Sequence, residues 1–592
     1  MMLIRNLLLI LTMGVVLAAC RKNLEPLDDN HRNLDEIYGD PYFAEGLLMN
    51  AYTRIPTNNA TNNGYSFSDV ATDDAVTNDK FNPLLNMATG SWSAVNNPMD
   101  TWNGSFTAIL YINLFLREVD SVNWSYLNPN VRILFRDRLK GECYGLRGYF
   151  MMNLLQGHAG YTAGGTELLG VPIITQPLDP NSDFSKPRNT FDECVQQIYA
   201  DFAESDKYLP LDYKDITAAN QLPAKYSSMA IADYNRVFGN ANRQRMVGRV
   251  VKALRAKTAL LAASPAYNAQ PVTTKWELAA NYAGEVLTLN GGIGGLDPQG
   301  GLFYVAANIN AVNLANSIDQ KEMLWRGNIV TNNAIEQTNF PPTLFGNGRV
   351  NPTQNLVDAF PMLNGYPIDN PASNYAAATP YANRDPRLRN YIVTNGSTFR
   401  NGTTFVYTKS DNPTNDAVNV LPTSTRTGYY LRKLLREDVN LNPASTSTQK
   451  HYPVHIRYTE MFLLYAEAAN EAWGPDGKGT FAFSAREVIA AIRKRAGLAQ
   501  PDNYLSAVTS KEDMRKLIRN ERRLELSFEG FRFWDLRRWK ENLTEAAKGV
   551  QINSNVFTIQ TVEIRPYADY MNFGPIPFTE ALKANLKQNR GW

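Results

Sequence analysis

The 592-residue chain has no surplus of charge of either sign: 59 Lys+Arg stand against 57 Asp+Glu, a formal net charge of +2. A nucleic-acid partner would need a strongly basic domain or patch, so that class is excluded as the main partner. Cysteine is scarce, at three residues, and cannot build a disulfide framework. Histidine is nearly as rare, at four. His451 and His455 are four apart, but Pro453 between them disfavours a helix that would aim both at one metal, and no metal or other cofactor is expected there. Gly-x-Ser-x-Gly, His-Glu-x-x-His and a phosphate loop are missing too, since Gly474-Pro475-Asp476-Gly477-Lys478-Gly479 lacks both the spacing and the hydroxyl. No run of 18 uninterrupted apolar residues follows the amino-terminal segment, which excludes a spanning helix in the mature chain. With 44% hydrophobic and 20% charged residues the chain is folded rather than disordered.

What is present begins with an address. Arg5 precedes Leu7 to Ala19, a mostly apolar run too short to span a bilayer, which reads as a secretory signal over residues 1–19. The run ends in Leu17-Ala18-Ala19-Cys20, which resembles a bacterial lipoprotein box, with Cys20 as the lipidated thiol and the mature chain anchored rather than spanning. Cys143 and Cys194 each fall in a helical pattern and read as buried free thiols.

Helical periodicity is strong towards both ends. Val247, Val251, Leu254, Thr258 and Leu261 share one face, with Pro265 just past the end of that helix. Ile133 to Leu155, Arg457 to Trp473 and Met514 to Phe528 read the same way. Between roughly 288 and 450 the composition turns to Gly, Pro, Asn and Thr, which favour turns and irregular loops. No Ser/Pro-rich linker separates independent domains. The expectation is one mainly α body over residues 20–592, with a loop-rich lobe at roughly 288–450 and a few short strands.

Glu521 and Glu525 lie on the apolar stripe of the last long helix, where a carboxylate needs a partner. Arg519, Arg522, Arg523 and Arg532 are close in sequence, and the expectation is an Arg–Glu clamp that docks the helix against Phe531, Phe533, Trp534 and Trp539. Asp69, Asp73, Asp74 and Asp79 are dense enough to suggest calcium, but they lack the spacing and glycine of an EF-hand loop and read as a solvated acidic loop. Aromatics make up 11% of the chain. Sugar binding needs flat rings for C–H faces and amides or carboxylates for hydroxyls, and the stretch from Tyr65 to Trp102 offers both.

Arg519-Asn520-Glu521-Arg522-Arg523-Leu524-Glu525-Leu526-Ser527-Phe528-Glu529-Gly530-Phe531-Arg532-Phe533-Trp534-Asp535-Leu536-Arg537-Arg538-Trp539 closely resembles the carboxy-terminal motif of the SusD/RagB family. Glu142 with Arg147-Gly148-Tyr149, Gly248-Arg249 to Tyr267, Asn383-Arg384-Asp385-Pro386-Arg387-Leu388, Leu463 to Glu471 and Pro575-Ile576-Pro577 follow in that family's order. The resemblance implies helix pairs like tetratricopeptide repeats and a ligand lobe. It implies a surface lipoprotein of the outer membrane that captures oligosaccharides for a SusC-like TonB-dependent transporter, without catalysis. A peptide-binding, RagB-like member is the alternative; a secreted glycoside hydrolase would need two carboxylates across a cleft. From the Tyr65–Trp102 stretch the candidate ligand residues are Tyr65, Asp73 and Asp74; the resemblance adds Trp92 as the stacking ring, with Asn96 or Asn97 beside it, and a second aromatic from the middle lobe, for which Tyr304 and Trp325 are candidates. Arg21-Lys22-Asn23 follows the lipid site, where many surface-exposed members carry acidic residues.

Overall fold

The computed structural model describes residues 39–592 apart from residues 57–59, 62, 63, 66, 126, 127, 179, 180, 184, 314–317, 400 and 401. The signal segment and Cys20 lie outside the described residues. No described helix is long and apolar enough to cross a membrane.

The fold is mainly α-helical. The longer helices of the first half are α1 (Pro41–Tyr52), α2 (Trp102–Glu118), α3 (Pro129–His158), α4 (Phe191–Asp206), α5 (Gly248–Ala263) and α6 (Thr273–Leu289). The longer helices of the last third are α7 (Tyr458–Trp473), α8 (Ala485–Ala496), α9 (Lys511–Glu525) and α10 (Arg532–Trp539). From α2 to α7 each of these helices packs on the next, so α6 and α7 are neighbours although 168 residues of other structure part them in the chain. The result is the stack of helix pairs that the family resemblance implies.

Local chemistry starts and spaces these helices. Asn128 caps α3 by accepting from the amides of Asn130 and Val131, with Pro129 in the first turn. Gly148 lets α3 and α4 approach, because a Cβ there would lie 2.5 Å from the Phe202 ring. Arg147 then ties α2, α3 and α4 together through Asp201 at 2.6 Å and Asn113 at 2.9 Å. Val247 precedes α5, and it, Val251, Leu254, Thr258 and Leu261 are all buried, as the stripe predicts. Cys143 and Cys194 are buried free thiols.

Two hydrophobic cores result. The first belongs to the helical stack. The second fills the loop-rich lobe, and it is drawn from three stretches rather than from residues 288–450 alone. Phe67 to Trp92 and Leu524 to Met571 close around Phe303 to Val439. The strands of the lobe sit in two-stranded sheets: β1 (Ala75–Thr77) pairs with β3 (Val350–Pro352), β2 (Met323–Arg326) with β4 (Val454–Arg457), and β5 (Ala547–Asn553) with β6 (Val556–Glu563), all antiparallel. The carboxy-terminal residues return to the end of α3. There the Asn589 amide donates to the carbonyl of His158, and the Trp592 ring lies 4.8 Å from Trp92.

Buried ion pairs join the two cores. Glu521 accepts from Arg387 at 3.0 Å and from Arg493 at 2.8 Å. Glu525 meets Arg387, Arg495 and Arg457, and Glu529 meets Arg457 at 2.7 Å and Lys433 at 2.6 Å. The two carboxylates on the apolar stripe therefore have partners, but those partners come from other segments of the chain. The arginines next to them in sequence go to other carboxylates. Arg523 and Arg532 reach Asp73, Arg522 reaches Asp535, and Arg519 pairs with Glu541 near the surface. A helix explains the division, since neighbours one or two positions apart point to different sides. The acidic stretch is correspondingly not a solvated loop: Asp69, Asp73 and Asp74 are buried.

Candidate functional site

The residues expected at a ligand site are not gathered at one open site: Trp325 packs in the helical core, Trp92 and Tyr304 in the second core, and most are closed off. Trp92 is 5% exposed, its ring wedged among Phe533, Tyr567 and Trp592 with the Arg537 guanidinium above it. Its indole N–H donates to Asn97 at 2.9 Å. No face of that ring is free to stack on a ligand, so Trp92 is a core residue. Asp73 and Asp74 are buried and neutralised by Arg523 and Arg532, which removes them as ligand acceptors. Tyr304 is buried, and its hydroxyl donates to the Asn390 carbonyl. Trp325 is buried with its N–H on the Gln244 carbonyl and its ring against Tyr149. Asn96 is exposed, with its amide turned back to the Ser91 carbonyl. Tyr65 belongs to a short strand whose side chains lie outside the described residues.

The concave site lies elsewhere, between the helical stack and the segment joining α9 to α10. A cleft of ≈ 810 Å³ is lined by the start of α2, the carboxy-terminal half of α3, α5, α7 and residues 529–538. That size suits a small ligand or a short stretch of polymer. Phe531 and Trp534 stand half-buried in its wall, and Asn103, Asn153 and Gln156 offer amides to the same space. Lys257 and Arg522 lie over the Phe531 ring, at 5.7 and 5.1 Å from its centroid. Sequence reasoning gave Phe531 and Trp534 a packing role only. The signal available for Trp534 was its place on the short helix α10: Phe533 and Trp534 are adjacent, so one enters the core while the other faces out.

Under the rings the cleft floor is charged and paired. Lys257 meets Glu460 at 2.7 Å, while Asp535 receives Arg522 at 2.7 Å and Arg538 at 2.8 Å. Arg538 goes on to Glu467, which also accepts from the Trp539 indole at 2.6 Å. Burial alone would raise the Glu467 carboxyl, but Arg538 and these hydrogen bonds hold it down to about 2. Burial and the neighbouring Lys257 push the His455 imidazole down to about 4, so this cleft residue is neutral at physiological pH. Among the described residues no group of His, Cys, Asp and Glu could hold a metal ion.

Two family models match the sequence. One, described as the SusD family, covers residues 312–592, and a second, described as starch-binding associating with outer membrane, covers residues 44–233. The chain belongs to the SusD/RagB family. Solved SusD-like structures share its fold along nearly its whole length. A SusD-like protein from Bacteroides fragilis superposes with a TM-score of 0.70 at 23% identity, covering 96% of this chain and 100% of that one. A SusD-like carbohydrate binding protein from the same species gives 0.66 at 19% identity over 92% and 98% of the two chains. Surface glycan-binding protein A from Bacteroides fluxus gives 0.58 at 17% identity over 94% and 100%. No curated protein matches the sequence. Outer-membrane association is thus part of the description of the second matching model.

Proposed function

We propose that this SusD-like chain is a non-catalytic lipoprotein, anchored through Cys20 at the outer membrane, that captures oligosaccharides in the cleft and passes them to a SusC-like TonB-dependent transporter. The observation that carries the reading is the pair of half-buried rings, Phe531 and Trp534, facing the amides of Asn103, Asn153 and Gln156 across one cleft. A sugar offers C–H faces to such rings and hydroxyls to such amides. Carbohydrate binding in the named relatives supports the ligand class. The paired state of the cleft carboxylates supports a binder over a hydrolase. Glu460, Glu529 and Asp535 are each committed to a cation, whereas a glycosidase needs two carboxyl groups free to exchange protons and attack. The lipid anchor rests on the Leu17-Ala18-Ala19-Cys20 signal, and the transporter on the family reading.

Calorimetric titration of the mature chain with laminarin, amylopectin, xyloglucan and a mixed peptide pool, with product analysis of the same samples, tests this reading. Saturable binding to a glycan without products is expected, and Trp534→Ala should weaken it roughly tenfold to a hundredfold. Binding to peptides alone overturns the ligand class. Product release overturns the non-catalytic role, and unchanged affinity in a folded Trp534→Ala variant removes the cleft as the site.

A further inference from the structure

Behind the aromatic wall of the cleft, three buried carboxylates crowd the segment that leads into β1: Asp69, Asp73 and Asp74. Two guanidiniums face them. Arg523 reaches Asp73 at 2.9 Å and Asp74 at 2.5 Å, and Arg532 reaches Asp73 at 2.8 Å. The remaining cations nearby are engaged elsewhere. Lys433 gives its ammonium to Glu529 and to the carbonyls of Glu525 and Ser527. Arg565 pairs with Glu563 and donates to the carbonyls of Val70, Thr72 and Ala75. Glu563 is shared with Arg426, and within the cluster both guanidiniums are taken by Asp73 and Asp74, so Asp69 has no cation within ion-pair distance among the described residues. In the same cluster Asp69 Oδ2 and Asp74 Oδ2 are both buried acceptors without a hydrogen-bond donor. An orphaned acceptor on a buried carboxylate that no cation reaches has a single remedy, an added proton.

We propose that Asp69 carries a proton near neutral pH, and that this proton holds the Phe528 turn, and with it the Phe531–Trp534 wall of the cleft, in place. The inference does not depend on what the cleft binds. Asp69 Oδ1 accepts from the Phe528 amide at 3.1 Å. Phe528 has φ 62°, a left-handed conformation that a bulky residue keeps only when its surroundings enforce it. The next three residues, Glu529, Gly530 and Phe531, line the cleft. Burial, reinforced by the neighbouring Asp74, raises the Asp69 carboxyl to about 7, and burial raises Asp74 as well. Losing the proton places a second charge beside Asp74. The site relieves this by admitting water, which competes for the Phe528 amide. Because folded Asp69 keeps its proton to higher pH than an unfolded aspartate, its contribution to stability is full below about 4 and is lost as pH rises through about 7.

Hydrogen exchange of the mature protein over residues 526–534, corrected for base catalysis, tests the proposal. Exchange should quicken by about tenfold between roughly pH 6 and 8.5 in the wild type, one proton's worth of linkage. It should stay level in Asp69→Asn, whose amide supplies a donor that does not ionise. The same pH dependence in both proteins overturns the proposal. A second measurement needs no variant: pH-difference infrared spectroscopy of the wild type should show a buried protonated carboxyl lost over that range, and its absence also overturns the proposal.

Discussion

Glu521 of α9 and Arg387, 134 positions earlier, meet at 3.0 Å in a site closed to solvent. Removing one partner of such a pair strands the other charge in low dielectric. Arg387→Ala should therefore cost about 3–5 kcal/mol of unfolding free energy. Arg519→Ala, which breaks the more exposed pair with Glu541, should cost less than about 1 kcal/mol. Urea unfolding of both variants checks the contrast, and equal losses would contradict it.

Acid should unfold the protein through carboxylates that the fold keeps ionised. Despite burial, the Arg538 guanidinium holds Glu467 at about 2, and Arg495, Arg457 and Arg387 hold Glu525 at about 2, against an ordinary 4.5. A depressed carboxyl contributes stability that is complete above its unfolded value and is lost as pH falls through the folded one. The window is thus from 4.5 down to about 2. Each group contributes on the order of 3 kcal/mol. Glu467→Gln should flatten the stability profile in that window by one proton, as measured by denaturant titration across pH.

Two glycines on helices should respond in opposite ways to alanine. Gly148→Ala drives a methyl into the Phe202 ring, 2.5 Å away, and should destabilise by about 1–3 kcal/mol. Gly46 in α1 has nothing within 4 Å of its Cβ position, so Gly46→Ala should stabilise by about 0.5–1 kcal/mol. Thermal unfolding of the two variants gives both signs.

Trp92→Ala should read out as a stability change. Deleting a ring packed against Phe533, Tyr567 and Trp592 should cost about 3–5 kcal/mol. Ligand affinity in the folded fraction should be unchanged, which calorimetry beside denaturant unfolding can establish.

The helical stack was legible in the sequence because periodicity is local. The Val247 to Leu261 stripe needs only a few turns of chain to show itself, and α5 follows it. That Glu521 and Glu525 need partners was legible for the same reason. Which arginines supply them was not, because Arg387, Arg457, Arg493 and Arg495 arrive from other elements. Trp92 shows the limit most clearly. A stacking platform and a core ring have the same composition and neighbours in sequence, and they differ only in whether distant groups cover the second face. Here Trp592 covers it. Asp73 and Asp74 were misread likewise, since their solvation depends on Arg523 and Arg532, some 450 residues along.

The contact between Asn589 and the end of α3 also sets a timetable. His158 and Asn589 are separated by 431 residues. At about 5–20 residues per second, a ribosome needs on the order of 20–90 s to make that interval. Throughout that time α3 has no lid at its carboxy-terminal end and Trp92 lacks one wall of its box. Closure of the Trp92 box and of the end of α3 therefore waits on residues 589–592, however early the helices themselves form.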